Sequence, residues 1–378
     1  MNSSEPQYQK TVLMLNSLMS GALRGVSTTA TRDAKGLVML SVCTQELLQI
    51  SDEERSQLTG TVADEQRRRL RDARMGLPEE QAVFVTTNDR GRCLPGKMGS
   101  LSEDVLGNCT VLMFEPAEYY AGRHSYPCFR AERDILIPPP VGGSILDLEV
   151  QNVEEEVRAW GAEQDKGEKR ALLAHFRGFD PEENCNRLAD QMRCRISNHH
   201  SLSTRGLLLA MFGGGRNRPA LRYNSLRLPS VANGSIIVSS TRVEQKNMYS
   251  EMRSSVFCLC PPGFGQWTQR FYEAVRLGCL PVTFEDLGYA SPWPFERRVR
   301  YADFVINVPP RDMGGLLYRL AAIAADRPQL RALRYAMLRA RLAFDWQDHS
   351  EHGALKHIIG ELRTRARAMH GAMRPSVP

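Results

Sequence analysis

Apolar and polar residues change rhythm twice along the chain. Residues 1–80 hold one apolar strand candidate, Gly36–Cys43, and then a stretch from Ser51 to Met75 whose interleaved acids and bases suit an exposed helix. After it, short β-rich runs take over at Val83–Thr87, Thr110–Phe114 and Ile135–Ile137, each closed by Gly, Pro or Asp turn signals. Pro138–Gly143 ends that pattern, and a charged, weakly apolar stretch from Val153 to Arg170 reads as a linker between domains. Beyond it strand and helix alternate. The pattern predicts strands over Ala171–Phe176, Leu207–Phe212, Ser235–Ser239, Val256–Cys260 and Leu280–Phe284. It predicts helices over Pro181–Arg193, with Asp180 as N-cap, and over Val243–Arg253 and Thr268–Leu277. Three helices close the chain at 311–325, 328–344 and 351–369. Alternation of this kind predicts a parallel sheet with helices on both faces.

Composition narrows the class without naming a chemistry. A hydrophobic share of 42% and a charged share of 24% over 378 residues fit a globular chain of two domains. No run approaches the ~20 apolar residues that cross a bilayer. The first twenty residues carry only a short apolar patch, Val12–Leu15, without the features of a signal peptide. The expectation is a chain that neither spans a membrane nor carries its own export signal. Its net charge of +6 is diffuse, with Arg clusters at Arg67–Arg69 and Arg297–Arg300 that read as solvated faces. Such a surface favours phosphorylated or acidic ligands. A nucleic-acid partner would rest on charge alone, since no aromatic-basic motif accompanies it. The nine cysteines form no CxxC pair and no zinc spacing. Cys258 and Cys260 fall on one side of a strand and read as packed, unpaired thiols. Cys93, Cys109 and Cys128 include a candidate disulfide, and Cys185 with Cys194 is a weaker one. Asn2, Asn108 and Asn233 head glycosylation triplets.

The segment Val256–Phe284 carries the chemistry. It reads as strand, Gly-containing loop, helix and strand, a crossover that is right-handed and places ligands beyond the carboxyl ends of the strands. The loop Pro261–Trp267 lies at such an end, ahead of a helix N-terminus whose free N–H groups suit a phosphate. Gly263 and Gly265 let the backbone approach a ligand. Arg270 and Glu273, three residues apart, share one stripe of the helix. A guanidinium suits a diphosphate and a carboxylate suits paired ribose hydroxyls. The competing reading is an ion pair that only staples the helix, and the residues alone leave both open.

This segment resembles the hallmark of the exostosin family, glycosyltransferase family 47. There a Phe-Cys strand precedes Pro-x-Gly, a helix with Ser-x-Arg-x-x-Glu-Ala follows, and Gly-Cys-x-Pro-Val closes the run. Thr268 stands where Ser is usual, which keeps a hydroxyl for a cap. Other stretches are similar in the same order. Val83–Cys93 matches the family's Thr-His-Asp-x-Gly-Ala-Cys strand end, with Asn88 in place of His. His124–Pro138 matches Phe-Arg-x-x-x-Asp-x-x-Ile-Pro, and Pro294, Phe295, Trp346 and Gly353 also fit. The family's strand, Gly turn and following Arg has two candidates: Phe176 and Gly178 with Arg187, or Phe212 and Gly213 with Arg222. The resemblance spans about 82–360; residues 1–80 read as divergent or incomplete, without the family's opening strand or membrane anchor.

The resemblance implies an α/β fold of GT-B type, two Rossmann-like domains facing a cleft. The acceptor-side domain is expected over 81–165, the nucleotide-sugar domain over 166–345, and a terminal helix over 346–378. It implies inverting transfer from a nucleotide sugar, usually a UDP-sugar, to a polysaccharide or glycoprotein glycan. Arg270, Glu273, Gly263, Gly265, Thr268 and Arg222 are the donor contacts so implied. Asp89, Asp134 and His124 are base candidates, although Asp134 also suits a turn cap. No metal and no cofactor beyond the donor is required. The location implied is the lumenal face of the Golgi membrane, through an anchor this chain lacks, and association with like or unlike subunits is left open. The alternative is an inactive partner subunit or glycan-binding module.

Overall fold

Two parallel sheets organise the molecule, one in each of two compact units. The computed structural model describes residues 83–86, 109–114, 129–139, 170–178, 201–213, 235–263, 268–284, 293–346 and 350–372, together with Gln57, Asp64, Glu65, Arg68 and Asp348. The described positions between Gln57 and Arg68 are helical, and Arg68 Nη2 lies 2.6 Å from Glu65 Oε1, as the charged pattern there predicts.

The first unit draws on the chain up to Pro140, on Pro292–Phe295 and on the chain from Ala343 onward. Its sheet pairs β1 (Val83–Thr86), β2 (Thr110–Met113) and β3 (Ile135–Leu136) in parallel, in that order. Every residue of β2 and β3 is buried, which is why these runs read as unbroken apolar stretches rather than as alternation. The last helix, numbered α6 below (Ala354–Ala372), belongs to this unit. Its Arg365 donates through Nη2 to the carbonyls of Asp134 at 2.9 Å and Ala131 at 3.3 Å. Trp346 Nε1 donates to the Pro138 carbonyl at 3.1 Å.

The second unit covers Val141–Ser291 and Glu296–Leu342. In chain order it contains β4 (Leu172–Arg177), α1 (Ser201–Phe212), β5 (Ser235–Ser239), α2 (Gln245–Arg253), β6 (Ser255–Leu259), α3 (Gln269–Arg276), β7 (Leu280–Thr283), β8 (Ile306–Asn307), α4 (Leu316–Ala325) and α5 (Arg327–Leu342). Its five strands are parallel in the order β5-β4-β6-β7-β8. The chain goes from β4 outward to β5 and then returns to the other side of β4 for β6. That reversal puts a topological switch point between the carboxyl ends of β4 and β6, the place where open α/β sheets take ligands. The second unit is therefore α/β with a parallel sheet, as the alternation of elements beyond residue 170 predicts.

One predicted strand is a helix. Leu207–Phe212 lies within α1, which begins at Ser201. A short apolar run is ambiguous between a strand and a buried helix segment. Here Leu, Ala and Met favour the helix, and Thr204, Leu208, Leu209 and Phe212 are buried at helical spacing. The 311–325 helix is also shorter at its start: Pro310–Gly315 forms a 3₁₀ turn, and the α-helix begins at Leu316, past two glycines that disfavour it. The two-residue strand β8 was not anticipated. The 165/166 boundary and the 181–193 helix lie outside the described residues.

Candidate functional site

The switch point is built from three local decisions of the chain. The first is the end of β4. Phe176 is fully buried, and Gly178 follows with its amide donating to the Ser239 carbonyl at 3.0 Å. A Cβ on Gly178 would lie 2.5 Å from the Phe176 ring, so any larger residue would push that ring aside. The second is the end of β6, where Cys260 N donates to the Val282 carbonyl at 2.8 Å and the chain leaves through Pro261–Gly263. Arg205 of α1 holds the Pro262 carbonyl through Nε at 2.8 Å. The third is α3. It buries Phe271, Tyr272, Glu273, Ala274 and Val275 and closes on Gly278, whose φ of 72° is the left-handed conformation of a Schellman cap. Gly278 N bonds Val275 O at 3.2 Å and Cys279 N bonds Ala274 O at 2.9 Å. The Gly-Cys of the motif is thus the helix stop that turns the chain into β7.

Arg270 sits at the start of α3 with its guanidinium carbon 5.1 Å from the Phe176 ring centroid. Its Nη1 is buried without a hydrogen-bond partner among the described residues. Burial pulls its pKa below the usual Arg value, against the opposing pull of Glu273. Glu273, one turn on, is 8% exposed. Burial raises its pKa, and Arg270 together with a hydrogen bond from Tyr249 offsets part of the rise. Arg270 and Glu273 feel each other's charge without closing an ion pair among the described residues. A pair that only stapled the helix would close it.

Cys260 lies at the carboxyl end of β6, and a disulfide lies further back, reaching the residue just before β7. Burial pushes the Cys260 thiol up to about 12, so it is a neutral packing group. Cys258, read from the sequence as an unpaired thiol, instead bonds Cys279 across β6 and the start of β7, with 5.6 Å between Cα atoms. The partner was missed because Cys279 stands 21 residues away, beyond a helix, and only the crossover returns it to the neighbouring strand. Cys109 is buried. Cys93, Cys128, Cys185 and Cys194 lie outside the described residues.

The remaining predicted site residues divide clearly. Thr268 holds the N-cap position with φ −146° and ψ 132°, but its hydroxyl makes no capping hydrogen bond, so the expected cap is not formed. Gly263 is half-buried at the loop's start. Asp134 is fully buried and accepts from Val111 N at 3.1 Å through Oδ1 and from Arg130 N at 2.8 Å through Oδ2. These bonds make it the brace of the Arg130–Asp134 turn and leave it poorly placed to take a proton from a bound acceptor. Asp89, His124, Gly265 and Arg222 lie outside the described residues. The reasoning that singled out Arg222 loses its premise, because the run before Gly213 is helical, whereas Phe176–Gly178 is a strand entering a Gly turn.

Three groups at this end of the sheet were not anticipated. His175 and Arg177, on β4, both engage Glu251 of α2. His175 Nε2 is 3.0 Å from Glu251 Oε2, and Arg177 grips both carboxylate oxygens, with Nε at 2.6 Å and Nη2 at 2.9 Å. Burial lowers the His175 pKa to about 4, with Glu251 pulling the other way. The hydrogen bonds from Arg177 hold the Glu251 carboxyl below its usual range. The third group is Tyr249, buried on α2 beside Glu273. A polar His-x-Arg in an apolar strand was a visible oddity; its Glu partner, 76 residues on, was not. Among the described residues no group of three His, Cys, Asp or Glu side chains could hold a metal ion, and no helix is long and apolar enough to cross a membrane.

A parallel sheet of this order is an open α/β sheet, and Arg270 at the start of α3 puts a cation beside its switch point. Residues 150–323 match the model of the exostosin GT47 domain, the family that the sequence motifs resemble. The chain is 45% identical over 76 residues to a protein of Arabidopsis thaliana named probable glucuronoxylan glucuronosyltransferase IRX7, covering 20% of this chain and 16% of that protein. It is 25% identical over 246 residues to a second probable glucuronoxylan glucuronosyltransferase of the same plant, covering 64% of this chain and 42% of that one. The chain thus spans less than half the length of these curated relatives. Among solved structures, WaaG, a glycosyltransferase involved in lipopolysaccharide biosynthesis, aligns over 88% of this chain and 80% of its own at 14% identity. Its TM-score of 0.30 is too low to carry an argument about domain arrangement.

Proposed function

We propose that this chain is an inverting glycosyltransferase. It takes a sugar from a nucleoside diphosphate, a UDP-sugar, and places it on a polysaccharide or glycoprotein glycan. The observation that carries the reading is Arg270: a buried guanidinium at the switch point, stacked on Phe176, with one N–H unpartnered. A diphosphate would satisfy that N–H and accept the charge. Glu273 would take the ribose hydroxyls, and the exposed amides at the start of α3 would face the phosphates.

In the reaction the acceptor hydroxyl oxygen bonds to the anomeric carbon while the bond from that carbon to the diphosphate oxygen breaks. UDP leaves with the electron pair, and a base takes the hydroxyl proton. Arg270 stabilises the charge that grows on the leaving diphosphate, an electrostatic contribution no divalent cation is needed to supply. The names of the relatives favour a glucuronosyl donor and a xylan-like acceptor. The Cys258–Cys279 disulfide favours an oxidising compartment, in keeping with the Golgi lumen.

The test is UDP binding by calorimetry, followed by UDP release with a donor panel that includes UDP-glucuronic acid. Removing a charge-assisted hydrogen bond costs about 1.5–3 kcal/mol. Arg270→Ala and Glu273→Ala should each weaken UDP binding ~10- to 100-fold. Arg270→Lys, which keeps the charge and loses the fork, should also bind measurably worse while melting near the wild-type temperature. Wild-type affinity in both alanine variants would overturn the reading. UDP binding without transfer to any acceptor would favour an inactive partner subunit.

A further inference from the structure

The proposed donor contacts leave one buried polar group beside them unused. Tyr249 lies on α2, 3% exposed, facing α3. Its hydroxyl accepts from Gln245 Nε2 at 2.5 Å, one helical turn earlier, and donates to Glu273 Oε1 at 3.4 Å. The second distance is long for an O–H···O bond, and contacts of this kind tighten when a ligand closes the site. Gln245 has a reason to be there: its amide occupies the phenol oxygen's acceptor side, so the phenol's single proton is directed at the carboxylate. Glu273 Oε1 is then engaged, and Oε2 takes no hydrogen bond among the described residues.

We propose that Tyr249, aimed by Gln245, is the positioning residue of the donor site: it fixes the Glu273 carboxylate with one oxygen held and the other left for the donor's hydroxyls. This rests on the donor-binding reading of Glu273. A carboxylate with two free torsions beyond Cβ would otherwise swing to Arg270 and close the ion pair that the structure leaves open. Tyr249 also helps keep Glu273 ionised. The groups facing Glu273 are Arg270 on its own helix, Tyr249 from α2 and Cys260 from the end of β6. Cys260 stays neutral. Burial raises the carboxyl's pKa, and Arg270 and the Tyr249 hydrogen bond are what bring it down. Without the phenol proton, Glu273 should protonate at higher pH, and donor binding, which needs the anion, should fade sooner on acidification.

The experiment measures UDP affinity of the full chain by calorimetry from about pH 5 to pH 8. Tyr249→Phe keeps the ring and removes the hydroxyl. Expected are roughly 3- to 10-fold weaker binding at neutral pH and an acidic limb shifted upward. In a Glu273→Gln background the same change should add less than about 2-fold, because the group it acts through is gone. Gln245→Ala, at an exposed position, should move the limb the same way by a smaller step, and it serves if Tyr249→Phe folds poorly. If Glu273→Ala weakens binding but Tyr249→Phe and Gln245→Ala leave affinity and pH profile unchanged, the positioning role is overturned while the donor reading stands. If Glu273→Ala itself binds as wild type, both fall. A uniform loss in Tyr249→Phe that persists in full with Glu273→Gln would mean packing alone and would also overturn it.

Discussion

Acid should destabilise the second unit through His175, and replacing that one side chain should remove most of the effect. His175 is fully buried on β4, and its pKa in the fold is about 4 against an ordinary 6.5. Burial is the main cause, because the neighbouring Arg270 and Arg177 also resist a second cation while Glu251 alone favours one. The fold therefore holds neutral imidazole. Above pH 6.5 the unfolded chain holds it neutral too, and nothing is lost. As pH falls from about 6.5 toward about 4, the unfolded chain binds a proton that the folded chain refuses, so stability drops across that window. The gap corresponds to about 3 kcal/mol in full, and about 2 kcal/mol of it is lost between pH 7 and pH 5. For a unit of this size that is roughly 4–8 °C in Tm. Glu251 does not cancel the trend: held below its ordinary range by Arg177, it loses its own contribution only at still lower pH, in the same direction.

The assay is thermal unfolding of wild type and His175→Gln at matched pH values from about 7 to 5. Gln keeps an amide N–H for Glu251 and does not titrate. The variant should start slightly less stable at neutral pH and lose clearly less on acidification, so the two curves converge. Equal slopes would refute the claim that His175 is neutral in the fold.

Replacing Cys258 and Cys279 together by Ala should cost about 3 kcal/mol, from a bridge that closes a loop of 21 residues' separation, and denaturant titration reads the loss directly. Asp134→Ala strands two backbone amides in the first unit, each costing about 1–3 kcal/mol, and so should lower stability sharply. UDP affinity of the folded protein should stay unchanged, and a loss of affinity there would contradict a purely structural role for Asp134. UDP affinity should also survive EDTA, as calorimetry will show; a large loss on chelation would contradict the assignment of diphosphate charge to Arg270.

What the sequence made legible was whatever is local. The helix 269–276 was readable because the apolar Phe271, Ala274 and Val275 recur at helical spacing, and its stop because Gly278 takes a left-handed φ. Strands β2, β6 and β7 were readable as apolar runs between turn residues, since burial on both faces leaves no alternation to confuse. Leu207–Phe212 shows the limit of that signal, for an apolar run of six carries no period of its own. The pairings were illegible for a different reason. Glu251 with His175, Tyr249 with Glu273, and Cys258 with Cys279 join residues that only the strand order brings together. Arg270 and Glu273 could be named beforehand, yet the environment that decides their chemistry comes from β4 and α2.

That environment argues about Arg270 in a way the motif could not. A partly buried guanidinium gives up some of its water contacts, and the Phe176 ring returns about 0.5–2 kcal/mol of them. A buried N–H without a partner costs about 1–3 kcal/mol more. Closing an ion pair to Glu273 would recover part of this, but Glu273 instead accepts from Tyr249, and its own burial raises its pKa. Arg270 and Glu273 thus stand close without meeting each other's charge. Such an arrangement is difficult to explain as a device for stabilising α3. It fits the role proposed for Arg270, in which one diphosphate would meet both the open hydrogen bond and the partly unbalanced charge.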